Sequence, residues 1–195
     1  MKRRAKKLIE TAYHEAGHVV SNYRLDIGGE EDGGVQWATI RDGTPDDEAD
    51  FPQCFSNTAP PEMTRELLRQ LPELVPYIRE RTEQRVICWL AGYAAEARHR
   101  KISRSASYTT VADAIRSDDP KLEGLSWGDA INALEALEVF EPDRGKRQAW
   151  VLTLWKRSWK LTERWWSDIE RIAELLLEHE TIGREIISTV LDEED

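Results

Sequence analysis

The sequence predicts a mainly α chain with a small β element near residues 35–55. Three observations carry this. Apolar residues return every three or four positions along most of the chain; Leu8, Ala12, Ala16, Val19, Val20 and Tyr23 are one example. That is the period of a helix with one buried face. One stretch, VQWATIR at 35–41, alternates as a short strand does. The composition, 33% charged and 40% hydrophobic, is that of an ordinary globular chain with a helical lean.

Taken in order, residues 5–23 read as the first helix. LDIGGEEDGG ends it with four glycines and a run of acids. The strand at 35–41 follows, then the acidic, turn-rich DGTPDDEADFPQ. Pro60 and Pro61 precede EMTRELLRQL, a short helix that should stop by Leu71, because Pro72 disfavours helical geometry at the residue before it. A long helix is expected over about 76–100, carrying RVICWLAGYAAEARHR. Ser103 to Thr110 reads as a polar link, TTVADAIRS as a short helix ended by DDP, and SWGDAINALEALE as another helix with Ser126 as its N-cap. EPDRGK is a turn. The pattern from 145 to 179 is one long amphipathic helix, and Thr181 is expected to cap a closing helix, TIGREIISTVL. No internal repeat divides the chain. Residues 1–195 therefore read as a single domain, with a basic run at 1–7 and the long and closing helices over 145–195.

Charge and cysteine content exclude several classes of function. A formal net charge of −10 makes the chain a poor binder of nucleic acid. MKRRAKK, with five basic residues in seven, is the exception: it reads first as a solvated helix start or tail, and as the alternative a contact for an acidic partner or a membrane surface. No apolar run approaches the ~18 residues that span a bilayer, so no transmembrane segment is expected, and no apolar signal segment opens the sequence, so secretion is not expected. Cys54 and Cys88 stand alone without a CxxC spacing, which points to a reducing, cytoplasmic setting.

The stretch TAYHEAGHVV, Thr11 to Val20, carries chemistry. His14 and His18 are four apart, so on a helix they project from one face and can share a metal ion. Neutral imidazoles are good zinc ligands. Glu15, beside them, is placed to take a proton from a water that zinc has acidified, leaving a hydroxide to attack a peptide carbonyl. Gly17 inside a helix costs about 1 kcal/mol relative to alanine; a close approach by another helix or by substrate would account for it. Catalytic zinc usually takes three protein ligands. The sequence after HEAGH, VVSNYR, lacks the glycine and histidine of the metzincin extension. The third ligand is therefore a distant Asp, Glu or His.

TAYHEAGHVV resembles the HEAGH helix in the peptidase domain of FtsH-type AAA zinc proteases. Three further stretches are similar to that family, in the same order: VICWLAGYAAEARHRK to its GGRAAEE-type helix, SWGDAINALEALE to its third-ligand helix, and ERIAELLLEHETIGREII to its closing helices. The resemblance runs from about 8 to 191. It implies a helical zinc-peptidase domain, a zinc ion held by His14, His18 and Asp129, and Glu15 as catalytic base. Glu96 is the alternative third ligand, or a residue that orients a ligating histidine through its other ring nitrogen. His99 and His179 are expected on the surface or in packing.

Two features depart from the family. These residues contain no GxxxxGK followed by Ser or Thr, so they are not an unfolding motor. Where the family binds substrate by strand addition and carries a PRG-like segment, this chain reads VQWATIRDGTPDDEADF. The expectation is thus a zinc metallopeptidase acting on peptides or unfolded protein, with a homo-oligomer or an ATPase acting in trans as partners. The alternatives are a catalytically silent zinc-binding interaction module, or a protease specific for one regulatory partner. Five of the eight tryptophans, Trp150, Trp155, Trp159, Trp165 and Trp166, crowd one segment. They suit either core packing or a partner interface.

Overall fold

The computed structural model describes residues 2–27, 35–41, 53–56, 68, 70–116 and 125–193. The glycine-rich break, the acidic loop and most of the short helix expected after Pro61 lie outside them. Seven α-helices are described: α1 (Lys2–Arg24), α2 (Val75–His99), α3 (Arg104–Arg116), α4 (Leu125–Ala136), α5 (Arg144–Arg164), α6 (Trp166–His179) and α7 (Arg184–Asp192). Three strands, β1 (Val35–Thr39), β2 (Gln53–Ser56) and β3 (Thr181–Gly183), form a small sheet. Its order is β2-β1-β3 and both pairings are antiparallel, with Ala38 opposite Cys54 on one side and Ile182 on the other. The fold is mainly α with a small β element, as the periodicity predicts. Among the described residues no helix is long and apolar enough to cross a membrane.

Two apolar clusters organise the chain. One gathers Ile87, Leu90 and Ala94 of α2 with Val111 and Ile115 of α3, Ala133 of α4, and Val151 and Trp155 of α5. The other gathers Ala12, Ala16, Val19 and Val20 of α1 with Ala38 of β1, Ile182 of β3, Ile169, Ile172 and Leu176 of α6, and Ile187 of α7. The antiparallel pair α1–α2 joins them. Gly17 answers to this crossing. A Cβ placed there would lie 2.5 Å from the Ala91 carbonyl oxygen and 2.9 Å from Ala95 Cβ, so the glycine lets the two backbones meet. At the far end of α1, Arg24 donates through Nε and Nη2 to Asp168 Oδ2 at 3.0 and 2.8 Å, tying α1 to the start of α6.

Four expectations need correction. The single helix over 145–179 is two helices, broken at Trp165 (φ −102°, ψ 25°). Its apolar spacing runs on without interruption, but Trp155 and Trp159 face the first cluster while Ile169, Ile172 and Leu176 face the second. A straight helix cannot serve both. Thr181 is not a cap: Thr181–Gly183 pairs with β1, and Gly183 is the N-cap of α7. The fully buried Ile182 explains the strand, which is too short to show alternation. The polar link from Ser103 is helical from Arg104; a serine, Ser107, takes the buried position where the apolar period looks for an aliphatic residue. Ser126 is not an N-cap, since α4 already begins at Leu125.

Candidate metal centre

The middle of α1 supplies His14, Glu15 and His18, with 2%, 2% and 9% of their surfaces exposed. Such burial of three ionisable groups in a row is costly unless they are paired, and it sets these histidines apart from incidental surface residues. Asp129, on the first turns of α4, reaches the same spot. Its Oδ2 lies 3.1 Å from His14 Nε2 and 3.3 Å from His18 Nε2, and the two Nε2 atoms are 3.1 Å apart. An ion bonded tetrahedrally at about 2.0–2.1 Å spans ligand-to-ligand edges of about 3.3 Å. The three atoms form a triangle of that size, and together His14, His18 and Asp129 make a group able to hold a metal ion.

Hydrogen bonding fixes what His18 presents. Its Nδ1 lies 2.8 Å from the Cys88 carbonyl oxygen, which can only accept, so Nδ1 carries a proton. In the neutral ring Nε2 then offers a lone pair toward His14 and Asp129, the state a metal requires. His14 turns Nδ1 away from the triangle to Glu96 Oε2 at 3.5 Å, an electrostatic contact longer than a good hydrogen bond. Glu96 therefore faces the outer nitrogen of His14, on the opposite edge from Asp129. Asp129, and not Glu96, shares the triangle with the two inner ring nitrogens.

The charges are strongly coupled. Burial pulls the pKa of His14 down, but the carboxylates of Asp129 and Glu96 outweigh it and raise it to about 10. His18 is likewise raised: burial lowers it and Asp129 more than compensates. Burial pushes Asp129 up, yet the two histidines hold it well below the usual carboxylate range. Glu15 is raised by burial against the lowering pull of His18 and His14. Its Oε2 is buried without a hydrogen-bond partner among the described residues. The cluster thus combines two imidazoles and a carboxylate that together favour bound positive charge, a proton or a cation, with the buried Glu15, whose Oε2 has no hydrogen-bond partner among the described residues.

Two supporting groups escape sequence reasoning. Gly92 of α2 lies under the imidazoles: a Cβ there would come within 2.5 Å of His18 Nε2 and 3.0 Å of His14 Nε2. A glycine inside a helix was its only sequence signal. The Cys88 carbonyl is a backbone group and leaves no signal at all. The Cys88 thiol is buried and pushed up to about 12, which makes it inert. Neither remaining histidine approaches the centre. His99 stacks on Tyr13 with ring centroids 3.9 Å apart, and the half-exposed His179 lies beside Glu178. Trp155 and Trp159 are buried in the first cluster, and Trp150, Trp165 and Trp166 pack partly buried against the two clusters.

No family model matches this chain, and no curated protein matches it either.

Proposed function

We propose that this chain is a zinc-dependent peptidase of the FtsH-like kind, hydrolysing peptides or unfolded polypeptide. The observation that carries the reading is the buried triangle of His14, His18 and Asp129 beside the uncommitted carboxylate of Glu15. Two imidazoles and one carboxylate are a donor set that suits zinc, and such a set leaves a position open for chemistry. When bound, a zinc ion supplies Lewis acidity, polarising a carbonyl and making water acidic near neutrality.

The protein's own groups do the rest. His14 and His18 would hold the ion through Nε2, with the Cys88 carbonyl accepting from His18 Nδ1 and so fixing the tautomer that leaves Nε2 free. Asp129 brings the third donor from α4 and closes the site. Glu15 takes the proton of the attacking water and returns it to the leaving amine. Burial, which raises its pKa, makes its carboxylate a better base than an exposed glutamate. The buried, unpaired Cys88 fits a reducing compartment such as the cytoplasm. Folded substrates would need an unfoldase, since these residues themselves hold no phosphate-binding loop.

The test is hydrolysis of fluorescently labelled casein, without ATP, by zinc-loaded protein and by Glu15→Gln. Cleavage by the former and a loss of at least about 100-fold in the latter is the expected result, the scale of general-base catalysis. Equal activity in both would remove Glu15 from the mechanism. Inactivity of both, with zinc bound to both, would instead favour a zinc-binding interaction module or a protease specific for a single partner.

A further inference from the structure

The α1–α2 crossing carries a second layer of charge around the centre. Glu10 and His14 are one turn apart on α1, and Glu96 and Arg100 one turn apart at the end of α2. Their side chains make a line of contacts that runs from Glu10 through Arg100 and Glu96 to His14. Arg100 Nη1 donates to Glu96 Oε1 at 2.7 Å, and Glu96 Oε2 faces His14 Nδ1 at 3.5 Å. Arg100 Nε lies 3.4 Å from Glu10 Oε1, and Lys6 closes the outer edge at 3.7 Å from the same oxygen. The backbone N–H of Arg100 also bonds the Glu96 carbonyl, so the arginine leaves α2 from a fixed point.

Three carboxylates, Glu15, Glu96 and Asp129, stand around two imidazoles. A divalent cation attracts all three, and only geometry decides which of them bonds it. Asp129 faces the inner ring nitrogens. Glu96 is turned outward, with one oxygen on Arg100 and the other toward His14. Arg100 has 41% of its side chain exposed, against 15% for Glu96 and 2% for His14. It is therefore the solvent-facing end of the chain that leads inward to the cluster. Removing its guanidinium takes from Glu96, a largely buried carboxylate, its closest charged partner among the described residues and leaves it only His14.

We propose that Arg100 is a positioning residue of the metal centre. It holds Glu96 against the outer nitrogen of His14 and thereby keeps Glu96 from competing with Asp129 for the cation. The inference rests on the metal-centre reading above. Outer partners of metal ligands typically change metal affinity by about 10–100-fold when removed.

The experiment titrates zinc into the full chain against a chromophoric chelator and records the visible spectrum of the cobalt(II)-loaded protein. Wild type, Arg100→Ala, Arg100→Lys, Glu96→Gln and the double variant Glu96→Gln/Arg100→Ala are compared. Arg100→Ala is expected to bind zinc about 10-fold more weakly and to shift the cobalt bands, because the ligand set changes. Arg100→Lys should recover affinity toward wild type, and the double variant should bind no worse than Glu96→Gln alone. Wild-type affinity and an unchanged cobalt spectrum in Arg100→Ala would overturn the role of Arg100 while leaving the metal centre standing. Additive losses in the double variant would also overturn it, since Arg100 would then not act through Glu96. Failure of wild type to bind either metal would remove the centre and this inference together.

Discussion

At the scale of single residues, the site is built from contacts too tight to tolerate substitution. Gly92 shows this most sharply. Its replacement by alanine should favour α2 by up to about 1 kcal/mol through helix propensity. Yet the new methyl would meet the rings of His18 and His14 at 2.5–3.0 Å. Gly92→Ala is therefore expected to weaken zinc binding at least about 10-fold, as loss of a ligand's support does, while the melting temperature before zinc is added stays within a few degrees. Chelator competition and thermal unfolding on the same sample check both halves. Protonation gives a second prediction. With its pKa raised to about 10, His14 carries a proton at neutral pH, which an incoming metal must expel. Zinc affinity should rise with pH through the neutral range and level off above about 10. Measured dissociation constants that do not change between pH 6.5 and 8.5 would contradict this. The HEAGH spacing made His14, Glu15 and His18 readable directly, because a helix turns any i, i+4 pair to one face. Asp129 was readable only through the resemblance, since one aspartate near a helix start has an ordinary explanation in the helix dipole. Gly92 and the Cys88 carbonyl were not readable, for their roles come from a neighbouring helix.

At the scale of elements, the α1–α2 crossing decides the geometry. Gly17 sits where a Cβ would press on the Ala91 backbone, and backbone cannot turn aside as a side-chain tip can. Gly17→Ala should cost about 1–3 kcal/mol from overpacking, exceeding the gain of up to about 1 kcal/mol in propensity. A lower melting temperature is the expected readout, and a higher one would show that the helices can slide apart freely. The elements themselves were mostly legible: α1, β1, α2 and α4 stand close to where periodicity puts them. The breaks were not. Hydrophobic spacing reports that a face is buried but not which core buries it, so the change of core at Trp165 left no mark in the pattern. β3 was hidden because three residues cannot display alternation, and its partner β1 lies 142 positions away at Thr39 and Thr181.

At the scale of the whole molecule, the candidate centre brings distant segments together. His14 and Asp129 are 115 positions apart in sequence, yet their side chains meet. A cation bonded to both would join α1, which belongs to the cluster around the sheet, to α4, which belongs to the cluster around α2. Metal that binds only the folded chain stabilises it by mass action, about 2.7 kcal/mol at a free concentration of one hundred times the dissociation constant. For a domain of this size that corresponds to a rise in melting temperature of roughly 5–10 °C. The most direct test of the account is the metal content of the purified chain after zinc loading and desalting, measured by elemental mass spectrometry beside the Asp129→Ala variant. The account predicts one zinc per wild-type chain and a large loss from the variant. No zinc in the wild type, or an equal and tightly held zinc in both, would contradict it.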